Sequence, residues 1–322
     1  GLCPPHGRNA EGPTMTFAVS GVFCASATPL AADLSPDLTA FAAHCRTLIQ
    51  DGCDGIALLG TTGEANSFSS AERRAILEAA LSAGITPSSL LPGTGLANVP
   101  ETVELTRHAL SCGVTTVVML PPYYYKGVSD DGLFAAYASV IERLADPRLR
   151  VILYHIPQMT GLPIGHDLIE RLVTAFPGNV VGVKDSAGKI ENMEAMIARF
   201  PGFSVLAGAD PLLLPLMRLG GAGCITATSN LVARELAFVF RHANDPSRSE
   251  GVAAAQARIN AYRDLSNSYV QIPAIKAMVG RRHGEAGWAR TRPPLLSTTQ
   301  AEQGDLARRL DEIDMHYPGA PA

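Results

Sequence analysis

Lysine is scarce in this chain, with Lys126, Lys184, Lys189 and Lys276 the only four in 322 residues. Of these, Lys184 alone closes an apolar, β-branched run, Val180-Val181-Gly182-Val183, and it is followed at once by the small turn Asp185-Ser186-Ala187-Gly188. Such a run, bounded by turn residues, reads as a buried strand of a parallel sheet. The Lys184 amine then stands where an apolar wall gives way to a loop. A lysine there either snorkels, with its stem on apolar surface and its head in water, or acts as an amine nucleophile.

Three other stretches suit the second role. Gly60-Thr61-Thr62-Gly63 offers two hydroxyls and successive backbone N–H groups between glycines that tolerate unusual torsions. That nest suits a small carboxylate, while the same residues also make an ordinary strand-to-helix turn with capping hydroxyls. Tyr154, in Val151-Ile152-Leu153-Tyr154, is a phenol that needs a partner if buried, and it serves either packing or proton transfer. His155 alternates to the opposite face and reads as structural. Tyr123, Tyr124 and Tyr125 form a loop that is a substrate wall or an interface cluster.

These residue types describe one chemistry. A lysine amine attacks a ketone to form an imine, and the imine draws electrons from the adjacent carbon–carbon bond. The amine must attack in its neutral form, which an apolar surround favours. A phenol such as Tyr154 carries the protons. The scheme asks for no metal and no cofactor beyond the imine. The six cysteines (Cys3, Cys24, Cys45, Cys53, Cys112, Cys224) show no C-x-x-C pair and no metal-ligand spacing with histidine.

The elements that must position these residues follow a repeating order. Apolar runs at 22–27, 55–59, 90–94, 115–120, 150–155, 179–184, 204–207 and 223–227 predict eight strands. Helical spacing intervenes at 37–50, 70–83, 100–111, 130–144, 165–175, 192–199 and 212–219, and continues at 231–242, 251–266, 273–279 and 303–314. Strand and helix alternating eight times predict a closed (β/α)8 TIM barrel over residues 16–245 with a C-terminal helical extension over 246–322. No G-x-G-x-x-G or G-x-x-x-x-G-K-[ST] supports a nucleotide fold instead. In a barrel the strand ends share one mouth. That gathers Thr61, Thr62, Tyr124, Tyr154 and Lys184 with Ser186, Gly208, Asp210 and Ile225.

The bulk composition narrows the partners. A net charge of −4 with no basic run argues against nucleic acid or a membrane surface, and no apolar stretch is long enough to span a bilayer. Residues 1–15 lack the apolar core of a signal peptide and are expected to be a disordered leader, with Met15 the natural start. Cysteines inside apolar runs fit a reducing cytoplasmic compartment.

The chain resembles the dihydrodipicolinate synthase / N-acetylneuraminate lyase family of class I aldolases. The resemblance runs from about Val22 to the final helix. It rests on five ordered motifs: Gly60 to Glu64; Pro122-Tyr123-Tyr124; Tyr154-His155-Ile156-Pro157; Gly182-Val183-Lys184; and Gly220-Gly221-Ala222-Gly223-Cys224-Ile225. It implies that Lys184 forms a Schiff base with pyruvate or another 2-keto acid and that Thr61 and Thr62 hold the carboxylate. It also implies that Tyr154 is the general acid/base, with Thr62 and Tyr124 completing a proton relay, and that the protein is a homotetramer built as a dimer of dimers.

The chain departs from the family pattern in two places. His155 stands where asparagine is usual. Met159 stands where the synthases carry an arginine for the carboxylate of aspartate semialdehyde, and a thioether cannot donate that bond. The sialic-acid lyases have an apolar residue there. Asp210 matches a position that meets substrate hydroxyls in those lyases, or else caps the helix begun by Pro211. Lys184-Asp185-Ser186 resembles members acting on 2-keto-3-deoxy sugar acids. The leading expectation is therefore a 2-keto-acid aldolase for such a substrate. The alternatives are 4-hydroxy-tetrahydrodipicolinate synthase, a keto-deoxy sugar acid dehydratase, or a silent keto-acid-binding sensor barrel.

Overall fold

Each apolar run of the sequence becomes a short parallel strand, with one exception that closes the sheet. In a computed structural model, residues 16–321 are described, and the leader expected at 1–15 lies outside them. Strands β1 (Gly21–Cys24), β2 (Gly55–Ile56), β3 (Thr116–Met119), β4 (Arg150–His155), β5 (Val180–Asp185), β6 (Ser204–Ala207) and β7 (Gly223–Thr226) pair in the order β2-β1-β7-β6-β5-β4-β3.

The two open edges are joined by the segment expected as a strand at 90–94. Leu90 bridges Ile56 and Gly93 bridges Val118, both in parallel. The Gly93 N–H donates to the Leu58 carbonyl at 2.8 Å, and the Val118 N–H donates to the Pro92 carbonyl at 3.0 Å. A regular ladder is lost here because Pro92 has no N–H to give. Gly93 also passes so near the Leu59 carbonyl that a Cβ would sit 2.1 Å from it. The result is a (β/α)8 barrel whose eighth staves are isolated bridges. Strand β2 is shorter than the expected 55–59, and by Leu59 the backbone has turned left-handed, with φ 59°.

Helices α1 (Leu38–Gln50), α2 (Ser70–Ser82), α3 (Val99–Ser111), α4 (Asp130–Leu144), α6 (His166–Ala175), α7 (Ile190–Arg199), α8 (Leu213–Arg218) and α9 (Ser229–His242) follow the strands. A one-turn helix, α5 (Pro157–Thr160), follows β4 where the sequence suggested only a loop. The starts obey local chemistry. The Asp37 carboxylate accepts from the Ala40 N–H, and Ser69 and Glu72 form a reciprocal capping box at the head of α2. Helix α9 begins two residues before the expected 231 and kinks at Val232.

Strand alternation splits the apolar residues into two layers. Phe23, Val118, Ile152, Leu206 and Ile225 fill the barrel, whereas Val22, Leu153, Val183 and Val205 face the helices. Beyond α9 come α10 (Ser249–Asn267), α11 (Gln271–His283) and α12 (Gln300–His316); α10 packs on α9, and α12 packs against both α10 and α11. Among the described residues no helix is long and apolar enough to cross a membrane.

Candidate active site

The sixth apolar run delivers Lys184 to the inside of the barrel. In β5, Val183 is turned to the helices, so its neighbour Lys184 faces the interior, paired in register with Tyr154 of β4. Both side chains are buried. The Lys184 Nζ donates to Tyr154 Oη at 3.2 Å and lies 4.3 Å from the centre of the phenol ring. Thr61 Oγ1, on the turn after β2, completes the line at 3.1 Å from the same Oη. Three residues from three strand ends thus form a continuous amine–phenol–hydroxyl chain.

Burial pushes the Tyr154 phenol up. The basic Lys184 side chain beside it, with the hydrogen bonds to Thr61 and Lys184 and the nearby Ser186 hydroxyl, outweighs that effect and holds the phenol below its ordinary range. Ser186 sits close enough to help because Gly208 leaves space for it: a Cβ at Gly208 would lie 2.0 Å from Ser186 Oγ. Ile225 of β7, Leu91, Val118 and Leu120 give the cavity around Lys184 its apolar wall. An amine held in such a wall, with a proton-carrying phenol at hydrogen-bond distance, can add to a carbonyl and lose water.

The family model described as "Dihydrodipicolinate synthetase family" matches residues 18–313. The chain belongs to this family. A DapA-like lyase of Chloroflexus aurantiacus, itself uncharacterized, is 37% identical over 262 residues, covering 80% of this chain and 85% of that one. The crystal structure of dihydrodipicolinate synthase from Agrobacterium tumefaciens is 32% identical with a TM-score of 0.81, covering 91% and 99% of the two chains. The structure of YagE, an Escherichia coli prophage protein of the same family in complex with pyruvate, is 26% identical with a TM-score of 0.84, covering 92% and 98%. Like its family, the chain is a lyase of the class I aldolase type.

Against that family pattern the structure sorts the remaining candidates. Thr61, not Thr62, is the threonine that meets Tyr154; the Thr62 hydroxyl, though buried, makes no hydrogen bond to the described residues. Tyr124 is 74% exposed and stacks edge-on with Tyr125, so within one chain it is apart from the Lys184 chain. Met159 is 64% exposed on α5. Asp210 is fully buried: its Oδ2 accepts from Thr228 Oγ1 at 2.8 Å and from Arg263 of α10 at 2.9 Å, and its Oδ1 has no partner among the described residues. It does not line the cavity, and it is itself the first residue of the 3-10 turn Asp210–Leu212, whose N-cap is Ala209 and which has no side-chain cap. The extra helix α10 brings an arginine that no local pattern around Asp210 announces.

The sequence reading also passed over Arg73 of α2. This arginine is buried and lines the same cavity as Lys184; among the described residues its side chain makes one hydrogen bond, to Asn66 Oδ1 at 3.4 Å, and its Nε has no partner. An arginine on a helix that also shows good capping reads as surface charge, so burial is visible only after folding. His155 faces outward as expected, its Nδ1 accepting from the Ile164 N–H at 3.0 Å. Among the described residues no group of three or more His, Cys, Asp or Glu side chains is placed to hold a metal.

Proposed function

We propose that the protein cleaves or forms a carbon–carbon bond of a 2-keto acid through an imine on Lys184, with a 2-keto-3-deoxy sugar acid or related compound as substrate. The observation that carries this reading is the 3.2 Å approach of Lys184 Nζ to Tyr154 Oη, with Thr61 Oγ1 3.1 Å beyond. Lys184 Nζ adds to the keto carbon, and Tyr154 gives the proton that lets the carbinolamine oxygen leave as water. The resulting iminium accepts the electron pair of the C3–C4 bond as that bond breaks, and Tyr154 takes the proton from the hydroxyl on C4. Condensation runs the same steps backward. Thr61 and Thr62, with the N–H groups of their turn, hold the keto acid's carboxylate.

Support for the keto acid comes from YagE, whose structure holds pyruvate. Against a synthase acting on a second carboxylate stands Met159, exposed and without a donor. The named synthases among the relatives, such as that of Sorangium cellulosum at 30% identity over 300 residues, keep 4-hydroxy-tetrahydrodipicolinate synthesis as the competing assignment. The exposed Tyr124 supports assembly in which a second copy completes the relay, and the family pattern extends this to a cytoplasmic homotetramer.

Borohydride reduction with pyruvate present, followed by mass measurement of peptides, tests the imine. A pyruvyl-sized gain on the Lys184 peptide is expected, and its absence would sink the reading. A panel of sugar acids and of aspartate semialdehyde then distinguishes lyase, dehydratase and synthase by product.

A further inference from the structure

Glu64, the last residue of the Gly-Thr-Thr-Gly-Glu motif, has no part in the chemistry above, yet its placement is unusual. Its backbone is left-handed at φ 58°, as is that of Leu59 at φ 59°, so two non-glycine residues in a sparsely populated conformation bracket the turn that carries Thr61 and Thr62. The Glu64 side chain runs away from the cavity into the seam between barrel and α11. There its Oε1 lies 2.5 Å from Lys276 Nζ, and both side chains are completely buried. Lighter ties surround this pair. Thr28 Oγ1 donates to the Gly63 carbonyl at 2.9 Å, and the Arg292 guanidinium holds the Ser67 carbonyl at 2.8 Å. On the cavity side, the bond to Tyr154 is the contact that Thr61's hydroxyl makes.

A buried ion pair is a weak source of stability, because desolvation of two charges offsets their attraction, and an apolar pair of similar volume often does as well. What it does supply is a single allowed geometry. We propose that Glu64 and Lys276 are positioning residues for the reaction: the pair locks the strained turn so that Thr61 reaches Tyr154, and α11, a helix beyond the barrel, thereby sets catalytic geometry from outside it. This inference rests on the reading that Thr61 and Tyr154 serve an imine on Lys184.

The test uses full-length protein and exchange of the pyruvate methyl protons for deuterium, followed by NMR, which needs imine and proton carrier but no second substrate. The double variant Glu64→Gln/Lys276→Met removes both charges together and so leaves no buried charge unpaired. It should fold, with a thermal midpoint near the parent's, and still trap pyruvate on Lys184. Its exchange kcat should fall by about tenfold, the scale of one lost hydrogen bond in the transition state, with a smaller change in KM. Its basic limb should move to higher pH, since Tyr154 loses the bond from Thr61 that lowers its pKa. In a Thr61→Val background the same double substitution should cost little more, because both changes break one link.

Parental kinetics and pH profile in the folded double variant would overturn the proposal. So would a loss of the same size in the Thr61→Val background. Should the double variant not fold, Glu64→Asp, which keeps the charge and shortens its reach, is read in the same assays, and parental behaviour there overturns the proposal equally. Failure of the parent protein to trap pyruvate would strike the imine reading itself, a result separate from any of these.

Discussion

The end of β5 and the middle of α11 each bury a lysine, and the two are opposite in use. Lys184 is 5% exposed and Lys276 is fully buried, so both lie out of contact with bulk water. Among the described residues Lys184 has a phenol as its partner, at 3.2 Å, and forms no ion pair. Lys276 has a carboxylate at 2.5 Å. Burial pulls the Lys276 amine below its usual range, and Glu64 pulls it back toward the charged form. A lysine with a carboxylate in contact is tied up as half of an ion pair, whereas Lys184 has a phenol in that place and no carboxylate to hold it. The partner, rather than the burial, decides between structure and chemistry.

The sharpest way to break this contrast is to remove each amine in turn. Lys184→Met should abolish both trapping and deuterium exchange while leaving the thermal midpoint equal to or above the parent's, since no buried anion is orphaned. Residual exchange at a measurable fraction of the parental rate would place the nucleophile elsewhere. Tyr154→Phe should keep a slowly trappable imine but lower exchange by roughly 10²- to 10⁴-fold, the range for a positioned acid/base. Lys276→Met alone should do the reverse of Lys184→Met: trapping survives, and urea unfolding shows a loss of about 3–5 kcal/mol because Glu64 is left buried and unpaired. An unchanged midpoint there would show that solvent reaches Glu64 after all.

Smaller effects refine the picture. Thr61→Val removes one hydrogen bond that lowers the Tyr154 phenol, so the basic limb of the exchange profile should move upward; a downward move would contradict the chain of contacts. Acid stability offers two windows. His44, buried between Asn230 at 2.9 Å and His283 at 3.0 Å, is lowered from 6.5 to about 4. The unfolded chain therefore takes up that proton first, and stability erodes as pH falls from 6.5 toward 4. Glu72, held first by the Arg292 guanidinium, is lowered from 4.5 to about 2. Its stabilisation is whole above 4.5 and is lost as pH falls toward 2. Urea midpoints measured against pH should show both slopes, and Glu72→Gln should erase the lower one alone.

How much of this was legible beforehand depended on range. Lys184, Tyr154 and the Thr61 turn stand at ends of apolar runs, and a barrel gathers strand ends, so their meeting followed from pattern. The closing segment at 90–94 was legible as a strand but not as a pair of isolated bridges, because Pro92 and Gly93 act through neighbours that only the closed sheet supplies. Asp210 shows the limit more clearly. Its local surroundings suggested a cap and the family resemblance a substrate contact, whereas Arg263, 53 residues on, pairs with it in the fold.

The sequence by itself determined the strand–helix alternation, the caps at Asp37 and Ser69, the inward parity of Lys184 and the class of chemistry. These rest on periodicity and on hydrogen bonds that span three or four residues. Only the tertiary structure decided that Thr61 rather than Thr62 meets Tyr154, that Arg73 lies buried in the cavity wall, and that Lys276 answers Glu64 across 212 residues. Such pairs are chosen by which elements pack together, and no local torsional or hydrophobic preference of either residue encodes its distant partner.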